Sequence, residues 1–294
     1  MKKFKGVGVA LITPFKNDKS IDYVSLSKLV EHTIKGGVSF LVALGTTAES
    51  AVLTKQEKQD VLDFIVKKCA SRVPIVVGIG GNNTIAVGEE MNSMNLKGID
   101  AILSVVPFYN KPNQEGMYQH YKYLAEVSPL PIIMYNVPGR TGSNMCASTT
   151  VRLAKEFKKL IAVKEASGNM SQAGYILRDA PEDFTLLSGD DNLSLSIIAN
   201  GGDGVISVSA NAFPKKFSSL INNALNENYK VAQSIQKELL EVTDLLFKEG
   251  NPVGIKSALK SLDIVENNLR LPLVKSTKPL DIAIQEQIKK FNLE

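Results

Sequence analysis

The stretch Leu160-Ile161-Ala162-Val163-Lys164-Glu165-Ala166-Ser167 decides how this chain is read. Apolar residues run without alternation into a lysine, an acid and then small or polar residues. A short continuous apolar run that stops at a turn suits a strand buried on both faces, as strands of a parallel sheet are. The unit recurs along the chain. Strands are expected over Gly8–Ile12, Phe40–Leu44, Ile75–Ile79, Ala101–Val105, Ile132–Tyr135, Ile161–Lys164, Thr185–Leu187 and Val205–Val208. Their spacing of roughly 20 to 35 residues is that of a strand plus a helix.

Amphipathic stretches fill the gaps. Asp22–Lys35 sets Leu26, Leu29, Val30 and Ile34 at helical spacing, and Thr54–Cys69 does the same with Val61, Leu62, Ile65 and Val66. Thr54-Lys55-Gln56-Glu57 has the form of a capping box, and Gly116–Glu126 and Thr149–Phe157 continue the pattern. Near-even strand–helix units without a domain break favour closure into a (β/α)8 TIM barrel of the α/β class over an open doubly wound sheet. The barrel accounts for residues 1–226. Residues 227–294 read as a C-terminal helical subdomain, with helices over Tyr229–Phe247, Val253–Leu262 and Asp281–Phe291 and prolines 252, 272 and 279 at or between their ends.

Composition narrows the function. Among 294 residues, 34 basic side chains against 30 acidic leave a net charge of +4, scattered rather than clustered. That argues against nucleic acid or membrane partners and permits at most a mild attraction for anionic substrates. Cys69 and Cys146, far apart and without neighbouring ligands, indicate neither a disulfide framework nor a zinc site. No signal peptide, transit peptide or membrane span is read, so the expected location is cytoplasmic.

In α/β barrels chemistry sits at the carboxyl ends of the strands. Lys164 ends an apolar strand, where burying an ammonium is costly and desolvation favours the neutral amine that attack on a carbonyl requires. The plainer reading is a lysine paired with Glu165 or another carboxylate. Tyr135 and Tyr109 also follow strands; either could shuttle a proton, and either could be a packed ring with a satisfied hydroxyl. Thr46 could link two phenols. Gly45-Thr46-Thr47 is either a carboxylate cradle or a plain loop. Arg140 could pair with a substrate carboxylate or with a neighbouring loop. Asp190-Asp191 finds no histidine to complete a metal site, since His32 and His120 lie in expected helices. Gly78-Ile79-Gly80-Gly81 lacks the spacing of a dinucleotide fingerprint, and no serine lies in a nucleophile elbow.

Taken together and in order, Gly45-Thr46-Thr47-Ala48-Glu49-Ser50, Pro107-Phe108-Tyr109-Asn110-Lys111-Pro112, Tyr135-Asn136-Val137-Pro138-Gly139-Arg140-Thr141-Gly142, Val163-Lys164-Glu165-Ala166, Ser188-Gly189-Asp190-Asp191 and Gly204-Val205-Ile206-Ser207 resemble the dihydrodipicolinate synthase family. The similarity covers essentially the whole chain. It implies condensation of pyruvate with aspartate 4-semialdehyde, on the route to diaminopimelate and lysine. No cofactor is implied, only a covalent imine on Lys164. Tyr135 would exchange protons with the imine through a relay by Thr46 to Tyr109. The latter would reach into a neighbouring subunit, in a homotetramer built as a dimer of dimers. Thr47, Ile206 and Gly189 would border pyruvate, and Arg140 would take the carboxylate of the semialdehyde.

The chain departs from the family at two places. Ala48 stands where glycine is common. Around the lysine feedback site of some members, Lys55 and Lys58 replace histidines, Ala86 an acid and Phe108 a tyrosine, with Ser50, Ala51 and Asn82 nearby. Extra ammonium groups disfavour a cationic effector, so weak or absent lysine inhibition is expected. Two alternatives stay open: another pyruvate-dependent aldolase, of the N-acetylneuraminate lyase type, and a non-catalytic barrel that binds or regulates.

Overall fold

The eight apolar runs pair side by side in chain order. In the computed structural model, which describes residues 2–291, they close into a parallel barrel in which β1 is bonded to both β2 and β8. The strands are β1 (Gly6–Ala10), β2 (Phe40–Ala43), β3 (Ile75–Gly78), β4 (Ala101–Val105), β5 (Ile132–Asn136), β6 (Leu160–Glu165), β7 (Thr185–Ser188) and β8 (Gly204–Ser207). Around them run α1 (Tyr23–Lys35), α2 (Lys55–Cys69), α3 (Thr84–Ser93), α4 (Gln114–Val127), a single turn α5 (Pro138–Thr141), α6 (Ala147–Glu156), α7 (Met170–Asp179), α8 (Ser194–Ala199) and α9 (Pro214–Leu225). The capping box forms as read: Thr54 accepts from Glu57 N–H while the Glu57 carboxylate takes Thr54 N–H.

Because successive strand residues face opposite sides, each strand sorts its side chains into two layers. Phe40, Val42, Val76, Leu103, Ile133, Ala162 and Leu187 fill the barrel interior. Val9, Leu41, Val77, Ile102, Val163 and Val205 meet the helices. The two layers together leave almost none of this aliphatic surface wet.

Strand ends differ from the sequence reading where side chains outside the apolar pattern decide. The first strand, expected over Gly8–Ile12, runs instead over Gly6–Ala10. Gly8 pairs with Phe40 and Ile206, and a Cβ on it would fall 2.2 Å from the Phe40 ring. The ring filling that level thus requires Gly8 to lack a side chain, and Gly6, outside the expected strand, pairs with Gly204 at a point where a Cβ would fall 2.2 Å from Ser39 Oγ. The eighth strand, expected over Val205–Val208, ends at Ser207 because Val208 N–H donates to the Asp191 carboxylate at 3.1 Å.

The tail helices are α10 (Tyr229–Phe247), α11 (Val253–Ser261) and α12 (Lys278–Lys290). The last begins earlier than Asp281 because Pro279 sits in its first turn, where the missing N–H costs nothing. Leu239, Val242, Leu246, Ile255, Leu259 and Ile284 join the same apolar cluster as the outer layer of the barrel. The tail is therefore packed onto the barrel wall, and its loops reach the carboxyl ends of the strands.

Candidate active site

Ladder register and strand alternation bring the lysine and the phenol together. Ala162 faces the interior, so Lys164, two residues on, does too; its ladder partner on β5 is Tyr135. Lys164 is only 6% exposed, and its Nζ lies 4.3 Å from the centroid of the Tyr135 ring. Glu165 faces the other way. Its carboxylate is committed to Asn136 Nδ2 (3.1 Å), Gln172 Nε2 (2.9 Å) and Ser167 N–H (2.7 Å). The pairing of Lys164 with Glu165 is thus excluded. Among the described residues Lys164 has no ion-pair partner, and a buried amine without a counter-ion is suited to act as a nucleophile.

Lys164 lies in a cleft of about 620 Å³ at the carboxyl end of the strands, the size of a small-molecule site. Tyr135, Thr46, Thr47, Arg140 and Gly189 line it as well. Thr46 and Thr47 sit in a 3-10 turn after β2, with Thr46 exposed and Thr47 buried. Arg140 lies in the exposed turn α5 and donates to Asn251 O at 3.2 Å, leaving its fork free of carboxylates. Other charges around the cleft are spent on each other: Lys58 pairs with Glu90 at 3.2 Å, and Arg270 forks onto Glu57. Lys164 and Arg140 remain as cations without a carboxylate, an arrangement that favours anionic ligands.

Two expected residues stand apart from this cleft. Ile206 is buried below it, in the interior layer that also holds Tyr135 and Leu187. Tyr109 is 88% exposed and does not line the cleft of its own chain. It occupies a tight turn with φ +72, closed by Asn110 N–H on Phe108 O at 2.9 Å. Such γ-turn geometry is strained for a residue with a side chain, and strain of this kind gathers at functional positions.

Asn251 is a site residue that sequence reading misses. From the loop before α11 its Nδ2 donates to Thr47 Oγ1 at 2.9 Å, while its carbonyl accepts from Arg140. An Asn-Pro dipeptide signals only a turn, so no local pattern points to it. Asp191, by contrast, is structural. Buried, it accepts from Val208 and Ser209 N–H, and desolvation raises its carboxyl above the usual range despite those bonds. Among the described residues no group of three or more His, Cys, Asp or Glu gathers to hold a metal ion, and no helix is long and apolar enough to cross a membrane.

Fold and site together define a barrel lyase of the class I aldolase type, with its chemistry at the carboxyl end of the strands. Residues 3–291 match the model of the dihydrodipicolinate synthetase family, and the chain belongs to that family. A 4-hydroxy-tetrahydrodipicolinate synthase of Parabacteroides distasonis is 51% identical over 285 residues, covering 97% of this chain and 95% of its own. The crystal structure of dihydrodipicolinate synthase from Aquifex aeolicus superposes with a TM-score of 0.95 at 39% identity, covering 99% of each chain. A structure described as the first monomeric dihydrodipicolinate synthase variant gives a TM-score of 0.96 at 36% identity, covering 98% of this chain and 97% of that one.

Proposed function

We propose that this chain condenses pyruvate with L-aspartate 4-semialdehyde, as a 4-hydroxy-tetrahydrodipicolinate synthase does. The observation that carries the reading is a buried lysine in contact with a phenol, in a cleft where, among the described residues, Lys164 and Arg140 are the cations without a carboxylate partner. Lys164 Nζ adds to C2 of pyruvate, and the carbinolamine loses water to give an imine. Loss of a proton from C3 yields an enamine. C3 then forms a bond to the aldehyde carbon of the semialdehyde, whose oxygen takes up a proton. The amino group of the semialdehyde portion attacks C2, closes the ring and releases Lys164 as the free amine. No step requires a cofactor.

Tyr135, against the reacting amine, is the group we assign to proton exchange with the carbinolamine, with Thr46 and a partner subunit's copy of Tyr109 extending the relay. Thr47, Gly189 and Ile206 border the pyruvate portion, and Arg140 takes the carboxylate of the second substrate. An exposed tyrosine on a strained turn outside its own cleft supports a role across a subunit interface. The reading therefore includes a cytoplasmic homotetramer built as a dimer of dimers. It also divides each chain at residue 227 into catalytic barrel and helical subdomain.

The nearest alternative is an aldolase acting on sugar aldehydes. Arg140 favours the semialdehyde, which offers a carboxylate to a guanidinium where a sugar offers hydroxyls. Incubating the purified protein with pyruvate and each aldehyde in turn tests the choice. Consumption of aspartate semialdehyde is expected; condensation with sugar aldehydes alone would refute it.

A further inference from the structure

Glu49 and Lys256 form an ion pair at 2.5 Å in which neither side chain is more than 1% exposed. Glu49 ends the 3-10 turn carrying Thr46 and Thr47; Lys256 lies on α11 in the tail. We propose that this pair is a positioning device, through which the C-terminal helices hold the Thr46-Thr47 turn in the conformation that turnover requires. The inference rests on the functional reading above and deepens it.

The turn does not hold its own shape. It is bracketed by Leu44 at φ +56 and Glu49 at φ +54, both in the left-handed region without being glycine. Residues held there persist only where their surroundings over-determine them. Here the surroundings are the tail. One Glu49 oxygen accepts from Lys256 Nζ and the other from Arg270 N–H at 3.0 Å. Arg270 also donates to Val52 O at 3.1 Å, at the end of the next turn, and Asn251 holds the Thr47 hydroxyl. The sequence 44–53 is thus fastened at its middle and its end by groups more than 200 positions away.

Lys256 is bound in turn. It donates to Asn268 O at 2.8 Å and lies 4.2 Å from the Phe15 ring centroid. Burial pulls its ammonium down to about 8, against the opposing pull of Glu49, so the charges are held dry at a cost. A buried ion pair is seldom the cheapest way to fasten two elements, since apolar residues of similar volume often do as well or better. What the pair offers instead is direction. A carboxylate that must meet one ammonium and one N–H fixes the backbone that bears it.

Lys256→Met alone strands a buried carboxylate and can unfold the chain, so the test uses the neutral double variant Glu49→Gln/Lys256→Met. Its melting temperature is expected near that of wild type. Amide hydrogen exchange at Ala48, Glu49 (as Gln) and Leu53 should quicken, and this readout needs no substrate. With substrates, kcat should fall by up to about 10²-fold, as for a misplaced group near the chemistry. Borohydride trapping of saturating pyruvate on Lys164 should persist, because β6 is untouched. If Lys256 acts through Thr46, adding Thr46→Val to the double variant should cost little more. Unchanged exchange with wild-type kcat, or losses that simply multiply with that of Thr46→Val, would overturn the proposal. A wild-type protein inactive on the semialdehyde would instead refute the functional reading, and exchange alone would then decide whether the pair holds the turn.

Discussion

Gly189→Ala adds one methyl group beside the reacting amine, and the structure gives its consequence in distances. Gly189 follows β7 on the interior face, two residues after Leu187. A Cβ there would lie 2.6 Å from Ala166 Cβ, 3.1 Å from Lys164 Cε and 3.2 Å from Glu165 O. Its φ is outside the left-handed region, so the effect is steric and not conformational. The strands cannot spread to make room without losing the bond from Gly189 N–H to Glu165 O, 2.7 Å long. The 2.6 Å approach to Ala166 Cβ can be relieved only by a shift of backbone at the end of β6 or at Gly189, and Lys164 Cε must give by a few tenths of an ångström as well. Overpacking of this kind costs about 1–3 kcal/mol of stability. A displacement of the amine by a fraction of an ångström up to about 1 Å should lower kcat/KM for pyruvate by up to about 10²-fold. Steady-state kinetics and a urea melt on the same preparation check both. A variant destabilised as expected but turning over like wild type would show that the amine does not depend on this opening.

Mixing Tyr109→Phe subunits with Lys164→Ala subunits should restore activity that each lacks, up to about a quarter of wild-type sites for random assortment into two-fold dimers. No recovery would mean that Tyr109 does not serve a partner's site. His120 is buried between α3 and α4, bound at Nδ1 to Thr84 Oγ1 (2.8 Å) with Nε2 unpartnered, and burial lowers it from the ordinary 6.5 to about 4. A histidine that protonates less readily folded than unfolded contributes stability that is complete above about pH 6.5 and is lost as pH falls toward 4, about 3 kcal/mol in all. Urea midpoints at pH 5 and 7 should diverge in wild type and lie closer together in His120→Leu, the remaining gap belonging to His32, which burial also lowers. Millimolar lysine should inhibit turnover weakly or not at all: Glu90 offsets Lys58, but Lys55 has no such partner among the described residues. Strong inhibition would contradict this.

Most of the barrel is legible in the sequence because a parallel strand buried on both faces leaves an unbroken apolar run. α10 reads over Tyr229–Phe247 for a related reason, a long amphipathic stretch between loops. What is not legible depends on contacts between distant segments. Gly6, left outside the expected strand, opens it where Ser39 occupies the space a side chain would need, and the Phe40 ring does the same at Gly8. Lys164 is conspicuous locally, yet whether Glu165 neutralises it depends on Asn136 and Gln172, which turn the carboxylate away. Asn251 and Lys256 leave no mark at all: each is an ordinary polar residue whose partner, Thr47 or Glu49, lies at the other end of the chain. Tyr109 is named by its motif, but the single chain offers it nothing to touch in its own cleft.

Reducing the purified protein with borohydride in the presence of pyruvate, followed by mass spectrometry of its peptides, addresses the chemistry at its root. One stable carboxyethyl adduct per chain is predicted, on the peptide containing Lys164, and none in Lys164→Ala. An unmodified Lys164 under saturating pyruvate, or an adduct that settles on another lysine, would show that the amine at the end of β6 is not the nucleophile.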